Sequence, residues 1–139
     1  MTDTRTAPSQ VERLSQTCYL VICRDGPASA KPRSEHLVGH LKHVEQNWTR
    51  YVTAGPIREP SGEALVGSVF LVLADNLEEA QALMNGDPYI TCGMYETIEY
   101  KEFTNSIGQF IGGKIWGSHE SIAHRAAGGP ADDLSKGVT

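Results

Sequence analysis

The sequence predicts one α+β domain in the order β-α-β-β-α-β, and three features of the chain lead there. Two stretches are apolar without interruption, Cys18-Tyr19-Leu20-Val21-Ile22-Cys23 and Val66 to Leu73. Both have strand length and neither shows a polar face, as expected of strands covered on both sides of a sheet. Between them Leu37, Leu41, Val44 and Trp48 recur at i, i+4, i+7 and i+11, the stripe of one helix packed on a sheet. A length of 139 residues fits a single domain, because halves of such a chain would be too short to bury self-sufficient cores.

The remaining elements follow in chain order. Arg24-Asp25-Gly26-Pro27 ends the first strand, and the helix carrying the Leu37 stripe comes next. Tyr51-Val52-Thr53-Ala54 is a short β-prone run stopped by Gly55-Pro56, so a peripheral second strand is expected there, with a loop through Pro60-Ser61-Gly62. After the Val66–Leu73 strand, Asp75 with Glu78 three residues on gives a carboxylate form of the capping box. The helix it opens turns Leu77, Ala80 and Met84 inward. Asn85-Gly86 closes that helix, Asp87-Pro88 restarts a short turn, and Tyr95 to Lys101 alternates as the last strand. This order is the ferredoxin-like arrangement, in which strands one and three are central; they are the two that read as continuously apolar.

That continuity has a further consequence. Helices on one face of a sheet leave the other to alternate in polar residues, yet Leu20 and Ile22 are as apolar as Tyr19, Val21 and Cys23, and Val69 and Leu71 as apolar as Phe70 and Val72. The simplest cover is the same face of a second copy, which predicts a homodimer with packed sheets.

Composition narrows the partners. A formal charge of −5 is spread along the chain without a Lys/Arg run, which argues against nucleic acid. Cys18, Cys23 and Cys92 are odd in number and lack a C-x-x-C spacing, so they read as small buried hydrophobes. Met1 to Gln16 lacks the apolar core of a secretory signal and no run is long enough to span a bilayer, so the expected location is the cytoplasm, without a membrane partner. Asn105 to Trp116 is apolar but broken by glycines, and a polar tail follows to Thr139; this reads as an extension that wraps a neighbouring subunit.

Chemistry concentrates on the first helix and the turn after the second. His36, His40 and His43 form a stripe about a quarter-turn from the apolar one, with His40 nearest its edge. The glutamate of H-E-x-x-H is missing because Leu37 follows His36, so no metal is expected. A histidine at the rim of a core is suited to proton transfer if a carboxylate fixes its tautomer. The candidate is Asp87, in Asp87-Pro88-Tyr89, where Asp before Pro also suits a helix N-cap. Both roles are compatible, one oxygen capping and the other meeting a histidine. Ser68 on the third strand offers a hydroxyl, Tyr89 and Tyr95 offer phenol donors, and Glu96 is either a second acid or an ordinary strand carboxylate.

His40-Leu41-Lys42-His43-Val44-Glu45, Thr53-Ala54-Gly55-Pro56, Gly67-Ser68, Leu77-Glu78-Glu79-Ala80, Asp87-Pro88-Tyr89 with Gly93, and Tyr95-Glu96 closing on Lys101 and Phe103 together resemble the YciI (YCII-related) family. The resemblance implies a dimeric α+β barrel of ferredoxin-like subunits, with residues 17–104 as the family domain and 1–16 and 105–139 as extensions. It implies a His and Asp pair in a pocket, falling on His40 and Asp87, with Gly55 and Pro56 beside the ligand. The family often carries an arginine three residues before its histidine; here Leu37 holds that place, while Arg33 stands so to His36, which is therefore the alternate site histidine.

The function expected is an enzyme acting on a small organic molecule by isomerase, lyase or dehalogenase-like chemistry. In it His40 moves a proton, Asp87 orients it, Ser68 or Tyr89 steadies charge, and neither metal nor organic cofactor is needed. The alternative is a non-catalytic small-ligand-binding or accessory module using the same pocket.

Overall fold

The computed structural model describes residues 11–114. They belong to two compact units, one of Gln16–Phe103 and one of the flanking segments. The first unit contains β1 (Cys18–Asp25), α1 (Ala30–Glu35), α2 (Leu37–Gln46), a 3-10 turn at Trp48–Arg50, β2 (Tyr51–Arg58), β3 (Leu65–Leu73), α3 (Leu77–Asn85), α4 (Pro88–Thr91) and β4 (Tyr95–Phe103). The sheet runs β2-β3-β1-β4 and every pair is antiparallel. The two continuously apolar runs are thus the central strands.

Alternation divides those strands between two faces. Tyr19, Val21 and Cys23 of β1 and Phe70 and Val72 of β3 join Ala80, Leu83 and Met84 of α3 and Tyr89 and Ile90 of α4 in the core. Full burial of a side chain such as Met84 stabilises by about 1.5–3 kcal/mol. Leu20, Ile22, Val69 and Leu73 take the other face and stay half-buried. In the flanking unit, the Arg13 guanidinium donates to the carbonyls of Leu14, Asn105 and Ile111. There Ile107–Gly108 pairs with Gly113–Lys114 as β5 and β6. Trp116 and the tail to Thr139 lie outside the described residues. Among the described residues no helix is long and apolar enough to cross a membrane.

The structure corrects several local readings. Gly55-Pro56 does not end the second strand, which continues to Arg58. A proline is tolerated because β2 is an edge strand, where a missing N–H forfeits no ladder bond. The single helix expected through the Leu37 stripe is two helices meeting at His36, and α2 buries none of its residues: Leu37 and Leu41 are each 44% exposed, and Trp48, in the 3-10 turn that follows, is 71% exposed. The box opening α3 sits one residue later than Asp75. The Asn76 side chain accepts from Glu79 N at 2.9 Å, while Glu79 Oε2 accepts from Asp75 N at 2.9 Å. Leu77 is consequently exposed, and Leu83 packs inward beside Ala80 and Met84. Cys92 is half-buried, unlike Cys18 and Cys23.

Helix α2 reaches the α3–α4 corner through two glycines. A Cβ on Gly39 would lie 2.9 Å from Pro88 Cγ, and one on Gly86 would lie 2.7 Å from His43 Cε1. Neither contact leaves room for a methyl group, and the Pro88 ring cannot rotate away. Gly39 directly precedes His40, so this close approach fixes the height of His40 over the corner.

Burial holds the acidic hydrogens of several side chains of this unit, three of them most strongly. It raises the Tyr51 phenol from 10.0 to about 12, helped by the Asp87 charge. It raises the Tyr95 phenol from 10.0 to about 12 against an opposing hydrogen bond with Ser68. The Cys23 thiol rises from 9.0 to about 12, again chiefly through burial and then through Asp87.

Two outcomes follow from this packing. Gly39→Ala should cost about 1–3 kcal/mol by overpacking against Pro88, which calorimetry would register as a fall in Tm of several degrees; an unchanged Tm would show that α2 is not held at this contact. On these groups the folded chain keeps protons that the unfolded chain releases from about pH 9 to 10, so their contribution is complete below that range and is lost as pH rises towards about 12. Denaturation midpoints falling across that window, together with late tyrosinate absorbance, would verify it.

Candidate functional site

Helices α1 and α2 and strands β2 and β3 line a cleft of about 990 Å³. Its walls are mostly apolar, with Leu37, Leu41, Val44 and Trp48 on the helix side and Tyr51 and Phe70 on the sheet side. The helical stripe therefore forms a cleft wall where a closed core was expected. His40, Arg33, Asp25 and Glu45 supply its charged or titratable groups, and Ser29, Ser34, Ser68, Tyr51 and Tyr89 its hydroxyls, that of Tyr51 buried without a partner among the described residues.

Asp87 is fully buried, which for a carboxylate demands partners. It is the N-cap of α4, and its Oδ1 accepts from Tyr89 N at 2.9 Å. Its Oδ2 lies 2.8 Å from His40 Nδ1. An acceptor there holds the proton on Nδ1. The His40 ring is stacked on Tyr89, with centroids 4.0 Å apart and planes at 6°, and meets Phe70 edge-on at 6.3 Å. Its Nε2 has no hydrogen-bond partner among the described residues and is not enclosed, so a lone pair remains available on a side chain that lines the cleft.

A second polar group is built where β1 ends. Asp25 ends β1 two residues after Cys23 and so shares its face; the pairing with β4 shifts there, Arg24 facing Thr97 and Asp25 facing Tyr95, which leaves Glu96 of β4 as the extra residue. Asp25 Oδ1 lies 2.6 Å from Arg33 Nη2, and Asp25 Oδ2 accepts from Ser29 Oγ at 3.0 Å. The Arg33 guanidinium carbon sits 5.6 Å from the centre of the Tyr89 ring and 6.0 Å from that of Tyr95. Tyr89 donates its phenol hydrogen to Arg33 O at 2.8 Å, and Tyr95 donates to Ser68 Oγ at 2.9 Å. Burial also raises the Tyr89 phenol, the Arg33 charge opposing it.

The geometry separates the residues singled out in the sequence. His40 meets Asp87, Tyr89 stacks on His40, and Ser68, Gly55 and Pro56 line the cleft. Tyr95 lies behind Ser68 and reaches the cleft only through it. His36 stands at the junction of α1 and α2, away from Asp87 and outside the cleft lining, so it does not serve as the alternate partner. His43 packs on Gly86, and Glu96 is exposed. Among the described residues no group of three or more His, Cys, Asp and Glu side chains is placed to hold a metal ion. Asp25 and Arg33 were not picked out as site residues. Arg33 had a signal, its spacing of three residues from His36; Asp25 had one in strand alternation after Tyr19, Val21 and Cys23, hidden because Arg24-Asp25-Gly26-Pro27 reads as a turn.

Comparison with known proteins agrees with the fold. Protein YciI of Escherichia coli O6:H1 and of Shigella flexneri are each 29% identical to this chain over 92 residues, covering 61% of this chain and 94% of theirs. The solved structure of a 5-chloro-2-hydroxyhydroquinone dehydrochlorinase from Burkholderia phenoliruptrix AC1100, in complex with 2,5-dihydroxybenzoquinone, superposes with a TM-score of 0.57 at 20% identity, covering 66% of this chain and 96% of that one. The two share a ferredoxin-like α+β fold with a four-stranded antiparallel sheet. The YCII-related domain model matches residues 17–104, and the chain belongs to the YCII-related family.

Proposed function

We propose that the chain is a small-molecule enzyme in which His40 and Asp87 act as an acid/base pair. One observation carries the reading: a fully buried carboxylate holds His40 Nδ1 at 2.8 Å, while Nε2 is left free beside the cleft. A surface histidine needs no such support, and a capping aspartate needs no histidine. In the step we envisage, the Nε2 lone pair takes a proton from carbon next to a carbonyl. The C–H electron pair becomes a C=C bond and the carbonyl oxygen gains the charge. Asp87 stabilises the imidazolium formed. Return of the proton to another carbon completes an isomerisation; departure of a halide with its electron pair completes an elimination.

The dehydrochlorinase that shares the fold acts on a chlorinated hydroxyhydroquinone and is solved with a quinone. A cleft walled by Leu37, Leu41, Trp48 and Phe70 suits a ring of that size, which makes lactones, quinones and chlorinated hydroquinones the first substrates to try. The working form is a homodimer, its contact the half-buried apolar face of Leu20, Ile22, Val69 and Leu73.

Asp87→Asn keeps a capping oxygen but turns an amide N–H towards Nδ1, which moves the imidazole proton to Nε2 and removes the base. His40→Asn keeps a donor to Asp87 and removes Nε2. Both variants should fold and lose about 10²–10⁴ in kcat, measured as chloride release from 5-chloro-2-hydroxyhydroquinone or as isomerisation of a neutral unsaturated lactone such as α-angelica lactone; undiminished turnover in both would refute the assignment. Ultracentrifugation should find a dimer that Ile22→Lys converts to monomer, whereas a monomeric parent would exclude the sheet contact.

A further inference from the structure

We infer that Arg33 and Ser68 form an oxygen-receiving corner of the cleft, and that the ligand it selects is a flat, uncharged carbonyl compound rather than a carboxylate. The inference deepens the acid/base reading, on which it rests for the direction in which the ligand lies.

Both residues carry hydrogen-bond donors with nothing to meet. Asp25 occupies Arg33 Nη2, but Arg33 Nε has no partner among the described residues. Nη1 is likewise uncommitted and is not enclosed, in a side chain only 16% exposed that lines the cleft. A guanidinium has five N–H groups, so one carboxylate oxygen leaves most of them unused. Ser68 is 4% exposed and accepts the Tyr95 hydrogen. No acceptor for its own O–H is found among the described residues, and its neighbours across the ladder are Pro56 and Cys23. With one lone pair taken and the Tyr95 phenol held protonated, the Ser68 hydrogen is left for whatever enters the cleft.

The two donors also share a mounting. Arg33 sits against the ring of the tyrosine whose hydroxyl fixes Ser68, and against the ring of Tyr89, whose face carries His40. An oxygen received by Arg33 and Ser68 therefore places the adjoining carbon on the side of the cleft where His40 stands. This is where an oxyanion needs donors when a base removes the neighbouring proton.

Charge decides between a carbonyl and a carboxylate. Asp25 already balances Arg33, Glu45 adds a negative charge to the lining, and Asp87 lies behind His40. Three carboxylates against one guanidinium oppose a ligand that arrives as an anion. A neutral carbonyl meets no such opposition, and it gains charge only as His40 takes the proton.

Coumarin and coumarin-3-carboxylate share a flat lactone body and differ by the preformed charge. With the full chain, calorimetry should show coumarin binding and its carboxylate weaker by about tenfold or more. Ser68→Ala, and the double variant Asp25→Asn/Arg33→Gln that removes the ion pair as a unit, should each weaken coumarin by about three- to tenfold. His40→Asn should retain coumarin binding while abolishing turnover. If it keeps turnover while Ser68→Ala still weakens binding, the acid/base reading fails and the oxygen corner stands. Equal or tighter binding of the carboxylate, coumarin affinity unchanged in both variants, or no binding of either compound at millimolar concentration would overturn the corner itself.

Discussion

The buried carboxylate of Asp87 is the interaction on which the rest of the site depends. A charge with no exposure to water is tolerated only when its oxygens are met by donors, and each partner removed from such a group costs about 3–5 kcal/mol. Asp87 draws one donor from its own helix, the Tyr89 N–H of α4, and the other from His40 on α2. The short helix and the histidine are therefore tied to a single group. Moving either helix would strand an oxygen. Tyr89 adds a second tie, because the residue that caps on Asp87 through its backbone also stacks its ring on the imidazole.

The glycine contacts show how the chain makes that tie possible. Helix α2 touches the α3–α4 corner where Gly39 meets Pro88 and where Gly86 meets His43, and beyond those contacts it buries no residue of its own. Its apolar stripe contributes less to stability than a core stripe would, since Leu37, Leu41 and Trp48 keep much of their surface exposed. What the exposure provides is an apolar wall facing Tyr51 and Phe70 across open space. Ala80, Leu83 and Met84 of α3 fill the core, and α2 faces the sheet across the open cleft.

Much of this was legible in the chain. Strand order followed from two uninterrupted apolar runs, because only central strands are covered on both faces, and β1 and β3 are central. The Asp87-Pro88 dipeptide announced a helix start, and the histidine spacing held for His40 and His43 on α2, while His36 falls at its N-cap. The stripe of Leu37, Leu41, Val44 and Trp48 misled in a specific way, since hydrophobic period reports that a face is apolar but not whether another element fills the space before it. Position along the capping box also slipped by one residue, because Asp75 and Asn76 are both acceptable caps and only the backbone angles of Asn76 distinguish them. Asp25 was overlooked for a different reason: alternation after Tyr19, Val21 and Cys23 puts it on the helix-covered face, but Arg24-Asp25-Gly26-Pro27 reads as the turn that ends the strand.

The same device recurs at both ends of the polar side of the cleft. Asp87 accepts at His40 Nδ1, which leaves the lone pair of that ring on Nε2. Tyr95 donates to Ser68 Oγ, which leaves that hydroxyl free to donate elsewhere. In each case a buried partner consumes one end of an ambivalent group, and the other end acquires a definite sign: an acceptor at His40 and a donor at Ser68. Histidine and serine can each play either part in water, and a site that left them free would have to order them afresh with every ligand. Fixing both from behind removes that reorganisation, because the partners are themselves locked in the core. The chemistry of the cleft is thus determined largely by residues a ligand does not touch, which is why Asp87 and Tyr95 belong to the site although neither lines it.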